Sequence, residues 1–472
     1  MFLFLYTKNY MTNKVLALLI FLLLCFKITA AYFTNFGLYG DEAQYWVWSQ
    51  VVDLGYYSKP PLLAWFLSLY TELFGSSFVS LKIFPIVIYF FISFAVYRLC
   101  TSLSFEKNSS WLCAASFLVV PAASLSSFLV STDLLLLLFW TISMVVLLNT
   151  IKTNSTKNYL LLGLFLGLAF LAKYAAVYFL LSLLLLLITD KKTFNKFKNN
   201  PTGVFVFVLS FLLVLAPNIW WNFNNNWVTI SHTSDNANLQ NLNLSLYEPL
   251  KFLGSQIVMI GPLLFVFFVF LIKYLHLDFT NKFLLLFSLP VLIVVLIESF
   301  LVRANANWAA PALVSIFVLL FRVVSSKGAV LIKINFVFNY VVVLFLFYSI
   351  LVSSDNRVFN RIKGVNSFVK EISGIVDDKD LVVSDRIVFS NISYQMRNET
   401  NKIYMPYKNN LPITNHFQIS SPLKKDRGGD FFLIGNLDDV SYLSKKNTGI
   451  LIKEFDVPFS SNKLKLYEIN FK

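Results

Sequence analysis

Charge is what this chain has least of. Only 14% of its 472 residues are Asp, Glu, Lys or Arg, where a soluble chain carries roughly a quarter. With 57% hydrophobic residues, 50 Phe and 22 Tyr, that shortage excludes a soluble globular protein. Cysteine is scarce too: Cys25, Cys100 and Cys113 each sit within an apolar run, with no CxxC pair and no metal-type spacing. Neither a disulfide framework nor a cysteine-based zinc site is supported. No small-residue cleavage site follows the opening MFLFLYTKNYMTNKVLALLIFLLLCF, so it reads as a retained first span and not a signal peptide. The net charge of +14 is no sign of nucleic acid, because polytopic membrane proteins collect Lys and Arg on cytoplasmic loops. A multi-pass membrane protein remains, with a mean hydropathy of +0.67.

A span takes about 20 apolar residues. Apolar runs begin near residues 15, 79, 110, 133, 159, 175, 203, 251, 283, 308 and 334, which predicts about 11 membrane segments of α-helix. One set of loops holds the cations: Lys8, Lys14, Arg98, Lys107, Lys152, Lys157, the cluster from Lys191 to Lys198, then Lys273, Lys282, Arg322, Lys327 and Lys333. The alternate loops are nearly bare, and residues 222–250 have no Lys or Arg. The first set is therefore expected in the cytoplasm. Lys157 and Lys191 then fall on the same side, although YLLLGLFLGLAFLAKYAAVYFLLSLLLLLIT lies between them. A pair of short helices turning near residues 172–174 satisfies the charges. It leaves Lys173 deep in the protein or near the outer leaflet, where an ammonium needs an anionic partner. The alternative is one long tilted helix with a snorkelling lysine.

This count puts the N-terminus inside. Residues 34–60, 121–132, 222–250, the turn around Arg303 and everything past about 354 then lie outside. Past that point apolar runs shorten and charge rises. DLVVSD, NKIYM, GDFFLIG, TGILIKEF and KLKLYEI read as short strands. SDRIVFSNISYQMRN reads as a helix capped by Ser384 or Asp385. The expected division is a membrane domain over 1–354 and a small α/β domain outside the membrane over 355–472. The tail has no glycine-rich phosphate loop, so no chemistry is assigned to it.

Conspicuous polar residues gather on the exterior side. GLYGDEAQYWVWSQ puts Asp41 and Glu42 at the first turn of an interfacial helix, with Trp46 among its aromatics. Acidic residues there either cap the helix or do chemistry. GYYSKPPLLAW carries Lys59, which either meets lipid headgroups or an anionic substrate. STD, residues 131–133, either caps a span or presents Asp133. PNIWWNFNNNWVTISH holds Asn222 and His232, and RANANWAAPA holds Arg303, Asn307 and Trp308. Asn and Trp suit sugar hydroxyls and sugar faces, and equally an ordinary interfacial loop. Carboxylates and cations on one membrane surface fit group transfer from a lipid phosphate: a carboxylate takes a proton from the attacking hydroxyl and cations stabilise the leaving phosphate. A transporter would place its charges near the midplane in broken helices, and Lys173 alone fits that.

GDEAQYWVWSQ, GYYSKPPLLAW, STDLLLLLFW, LAKYAAVYF, WWNFNNNWVTISH, GSQIVMIGPLL and RANANWAAPA follow one another between residues 37 and 312. In this order and spacing they resemble bacterial GT-C glycosyltransferases of the protein-mannosyltransferase and aminoarabinose-transferase superfamily, Rgt-type lipopolysaccharide galacturonosyltransferases above all. The resemblance implies a GT-C fold and transfer of a sugar from a polyprenyl phosphate, on the periplasmic face of the bacterial inner membrane. The implied acceptor is lipid A, lipopolysaccharide core or a related envelope glycan. It implies Asp41 as the catalytic residue with Glu42 beside it, and Asp133 as the acidic residue of the second exterior loop. Lys59, with Arg303 and Lys173, would meet the donor phosphate. Trp46, Asn222, His232, Asn307 and Trp308 are candidates for the sugar or acceptor. The aminoarabinose branch has a metal-associated acidic residue before the lysine, where this chain has Ser58. With only His232 left as a ligand candidate, no cofactor is assigned and a divalent metal is left open. A protein O-glycosyltransferase and a lipid or glycan transporter are the alternatives.

Overall fold

The computed structural model describes residues 13–237, 242, 244–408, 411–444 and 447–471. Lys8 and the first residues of the opening span lie outside these. Every apolar run read from the sequence begins on a helix, because a chain in lipid must satisfy its own backbone hydrogen bonds. Among the described residues six helices are long and apolar enough to cross a membrane: Asn13–Phe33, Phe78–Ser102, Thr132–Thr153, Pro201–Asn224, Phe279–Leu301 and Ala329–Leu351. Two bent pairs, Tyr174–Thr189 with Lys191–Lys198 and Tyr247–Ile260 with Pro262–Tyr274, raise that number to 8 if each is one span. The sequence predicts about 11. The difference lies in runs that fold as shorter helices, at Lys107–Leu118, Thr156–Ala172 and Ala312–Ser325.

Local chemistry explains the bends. Asp190 accepts from Thr193 N–H and starts helix Lys191–Lys198 anew. At the second bend Gly261 has φ +106°, a conformation that only glycine adopts readily, and Pro262 opens the next helix. The long run over residues 159–188 also breaks where the charges ask for a turn: Lys173 is extended, at φ −162° and ψ 133°. The two halves have different principal neighbours. Helix Thr156–Ala172 packs on Thr132–Thr153 and Pro201–Asn224, and helix Val177–Thr189 on Phe279–Leu286 and Leu289–Leu301. Helix Thr132–Thr153 is the most enclosed of the six. Pro201–Asn224 turns Phe205, Leu213 and Trp220 outward, as a lipid-facing helix does.

The chain divides into two compact units. One comprises Met1–Ile28, Lys59–Leu63 and Lys82–Phe347, and contains most of the membrane helices. Within it Lys27 is buried, and its ammonium donates to Ser124 O at 3.1 Å and Ser127 Oγ at 2.7 Å and lies over the Phe347 ring. The other unit comprises Thr29–Ser58, Ala64–Leu81 and Tyr348–Lys472, so it adds two earlier segments to the tail.

The tail forms a six-stranded sheet: β1 (Leu381–Val383), β2 (Ile403–Pro406), β3 (Pro422–Leu423), β4 (Phe431–Ile434), β5 (Asn447–Phe455) and β6 (Leu464–Phe471), in the order β3-β2-β1-β4-β6-β5. The first four in that order are parallel, and β6 pairs antiparallel with β4 and β5. β1 and β4 are buried along their whole length, the pattern of strands covered on both faces. Val382, Phe431, Leu433, Val440 and Ile469 form the core. Five strands match the sequence reading, and β3 is too short to announce itself. Helix Arg386–Gln395 starts where expected, with Asp385 accepting from the N–H groups of Ile387 and Val388.

Candidate functional site

The candidates fall in both units. Asp41, Glu42 and Trp46 belong to the one that holds the tail, and Lys59, Asp133, Lys173, Asn222, His232, Arg303, Asn307 and Trp308 to the other.

In the first of these, helix Gly40–Gln50 begins with the two carboxylates, which have separate tasks. Glu42 is buried and accepts from Tyr39 N–H at 3.0 Å, which is the reach-back bond of a capping box. Asp41 makes no such bond. Its side chain is 43% exposed, and Oδ1 accepts from Arg386 Nη1 at 3.4 Å. The same Nη1 donates to Gln44 Oε1 at 2.6 Å. Gly40 permits this meeting: a Cβ there would stand 2.4 Å from Ile387 Cγ2, so only a glycine admits helix Arg386–Gln395 so close. Trp46 is buried and packs edge-on against Tyr394, centroids 5.1 Å apart, so it holds the helix crossing.

The last turn of the helix carries an aromatic stack. Trp48 and Tyr56 are parallel at 4.7 Å, and His416 from the tail meets both edge-on. His416 Nδ1 accepts from Tyr57 N–H at 3.4 Å, so the ring is neutral. Burial pushes its pKa down to about 4, with Asp53 pulling weakly the other way. Burial likewise pushes the Tyr56 and Tyr394 hydroxyls up to about 12.

In the other unit, Lys173 finds the anionic partner its position demanded. Its ammonium donates to Asp133 Oδ1 at 2.7 Å, with both side chains about six-sevenths buried. Asn307 Nδ2 donates to the second oxygen, Oδ2, at 3.1 Å. The turn that carries Asn307, Ala306–Ala309, is tied down by Gln256 Nε2 on Ala306 O at 2.9 Å. Three candidates from separate loops therefore share one cluster. The next residue extends it: Tyr174 OH donates to Asn218 Oδ1 at 2.7 Å and accepts from Asn222 Nδ2 at 3.2 Å. Asn222 Oδ1 is buried and has no donor among the described residues. Lys59 and Trp308 are half-buried, Arg303 is exposed, and His232 is half-buried on helix Val228–Ala237. No group of three or more His, Cys, Asp or Glu able to hold a metal ion occurs among the described residues.

Sequence reasoning missed Arg386, Gln44, Tyr174, Asn218 and His416. Tyr174 and Asn218 stood beside residues already singled out. For Arg386 and His416 no signal existed, because their partners lie about 350 residues earlier in the chain.

Known proteins resemble this chain in sequence and in fold. The family model of dolichyl-phosphate-mannose-protein mannosyltransferase matches residues 58–221. Lipid A galacturonosyltransferase RgtD of Rhizobium johnstonii is 28% identical over 388 residues, 79% of this chain and 80% of that protein. Crystal structures of ArnT from Cupriavidus metallidurans share the fold along 97% of this chain and 98% of theirs, at 10% identity. The TM-score is 0.64 for the apo state and 0.67 for the state bound to undecaprenyl phosphate. The chain thus resembles the protein mannosyltransferases over residues 58–221, is similar to an Rgt-type galacturonosyltransferase over most of its length, and has the GT-C fold of ArnT.

Proposed function

We propose that this protein transfers a sugar, with galacturonic acid the first to test, from a polyprenyl-phosphate donor to lipid A or a related lipopolysaccharide acceptor. The site lies on the periplasmic face of the inner membrane. The observation that carries the reading is the division of labour at the start of helix Gly40–Gln50: Glu42 makes the cap, and the Asp41 carboxylate is left half-exposed. Similarity to RgtD and to an ArnT bound to undecaprenyl phosphate supports the donor and acceptor classes.

In this reading an acceptor hydroxyl oxygen attacks the anomeric carbon and the bond from that carbon to the phosphate oxygen breaks. Polyprenyl phosphate leaves with the electron pair, and Asp41 takes the hydroxyl proton. Lys59 and Arg303 balance the charge that develops on the phosphate. Lys173, already neutralised by Asp133, contributes less. Asn222, His232, Asn307 and Trp308 line the sugar or acceptor.

The protein-mannosyltransferase match gives one specific reason to consider a protein acceptor. Purified protein with undecaprenyl-phosphate-linked galacturonate separates the readings. Release of free polyprenyl phosphate with sugar on lipid A supports the proposal, and sugar on a Ser/Thr peptide supports the alternative. Movement of the donor between leaflets without release would make the protein a transporter.

A further inference from the structure

Asp41 meets a residue 345 positions away, and nothing in the local sequence requires that meeting. We infer that Arg386 is a positioning residue for the transfer reaction: it holds Oδ1 of Asp41 so that Oδ2 is presented to the acceptor hydroxyl. The inference rests on the reading of Asp41 as the general base.

Three observations within one compact unit carry it. The guanidinium is held independently of Asp41, since its Nη1 donates at 2.6 Å to Gln44 Oε1, and Gln44 is buried. Asp41 and Gln44 lie three residues apart on one helix face, so an Arg386 fixed by the amide is automatically beside the carboxylate. Second, Arg386 is the first residue of helix Arg386–Gln395, whose start is fixed by the Asp385 cap. The register against helix Gly40–Gln50 is set at one end by the Gly40–Ile387 approach and at the other by Trp46 on Tyr394. Third, the two carboxylate oxygens are treated differently. Oδ1 has the arginine, and Oδ2 makes no hydrogen bond among the described residues.

Stability is a poor explanation for the pair. At 3.4 Å, with side chains 45% and 43% exposed, such a contact contributes little to stability, because solvent screens the pair. Aim matters more to a proton acceptor, where a misplacement of about 1 Å can cost on the order of 100-fold in rate. The tail would then supply a residue to the reaction as well as a fold.

The test uses the full-length protein with undecaprenyl-phosphate-linked galacturonate and lipid A, and compares Asp41→Asn, Arg386→Ala, Arg386→Lys and the double variant Asp41→Asn/Arg386→Ala. Arg386→Ala should lower kcat by about 10- to 100-fold with KM and melting temperature unchanged. Arg386→Lys should recover part of the loss, because an ammonium restores charge without the planar fork. The double variant should be no slower than Asp41→Asn. Wild-type kcat in Arg386→Ala beside an inactive Asp41→Asn would overturn the inference and leave Asp41 in place. An effect on KM alone, or losses that multiply in the double variant, would also overturn it. Wild-type turnover in Asp41→Asn would remove the reading of Asp41 and this inference with it. Should Arg386→Ala fail to fold, Gln44→Leu, which keeps the buried bulk and removes the anchor, decides: unchanged kcat overturns the inference.

Discussion

At the scale of single residues, the two carboxylates of the loop helix predict unequal losses of activity. Asp41→Asn should lose most transfer while melting near wild type, since no cap depends on it. Glu42→Gln keeps an oxygen for Tyr39 N–H and should be milder in activity; detergent-solubilised melting curves and turnover measured together check both. The Asp133–Lys173 pair predicts a coupling. Lys173→Met leaves a mostly buried carboxylate uncompensated, at about 3–5 kcal/mol, whereas Lys173→Met with Asp133→Asn should recover much of that stability in thermal unfolding. His416 predicts a pH dependence. Its folded pKa, about 4, lies below the ordinary 6.5 because burial penalises the charged ring. The unfolded chain therefore binds the extra proton first. The stabilisation is complete above pH 6.5 and is lost as pH falls toward 4, on the order of 3 kcal/mol. His416→Phe should flatten the acid limb of melting temperature against pH. The sequence showed that Lys173 needed a counter-ion, since a cation in an apolar run has few alternatives. It did not show which, because Asp133 is 40 residues away and looked equally like a cap.

At the scale of elements, helix existence was legible and helix length was not. Apolar runs mark where backbone bonds must be internal, but the breaks at Lys173 and Gly261 depend on tertiary partners that a run does not display. The strands were legible from short β-branched and aromatic runs between turn residues. Two-residue β3 was not, having no pattern of its own. One further element signal was present and unused: GLFLG, with Gly163 and Gly167 one helical turn apart. These glycines let helix Thr156–Ala172 lie against Pro201–Asn224, as small residues do between membrane helices. A Cβ at Gly163 would be 1.9 Å from Ser210 Oγ and 2.3 Å from Phe207 O. Gly163→Leu should therefore lower thermal stability by roughly 1–3 kcal/mol or more. Gly254→Ala, which meets nothing within 4 Å, should leave the melting temperature at or above wild type.

At the scale of the whole molecule, the charge asymmetry of the loops predicts that the tail faces the periplasm. A phosphatase reporter fused after Lys472 should be active, and a fluorescent protein that folds only in the cytoplasm should be dark at the same position; the reverse pair would mean an odd error in the span count. Class is legible in composition because a bilayer imposes it on every residue. The Asp41–Arg386 meeting is not, because it joins chain segments that only the finished fold brings together. One reaction tests the proposed transfer: purified protein incubated with undecaprenyl-phosphate-linked galacturonate and lipid A, followed by mass spectrometry of both lipids. Lipid A should become heavier by one sugar residue beside an equal amount of free undecaprenyl phosphate, and Asp41→Asn should leave only a small fraction of either product. Unchanged lipid A and intact donor with folded wild-type protein would contradict the proposed transfer.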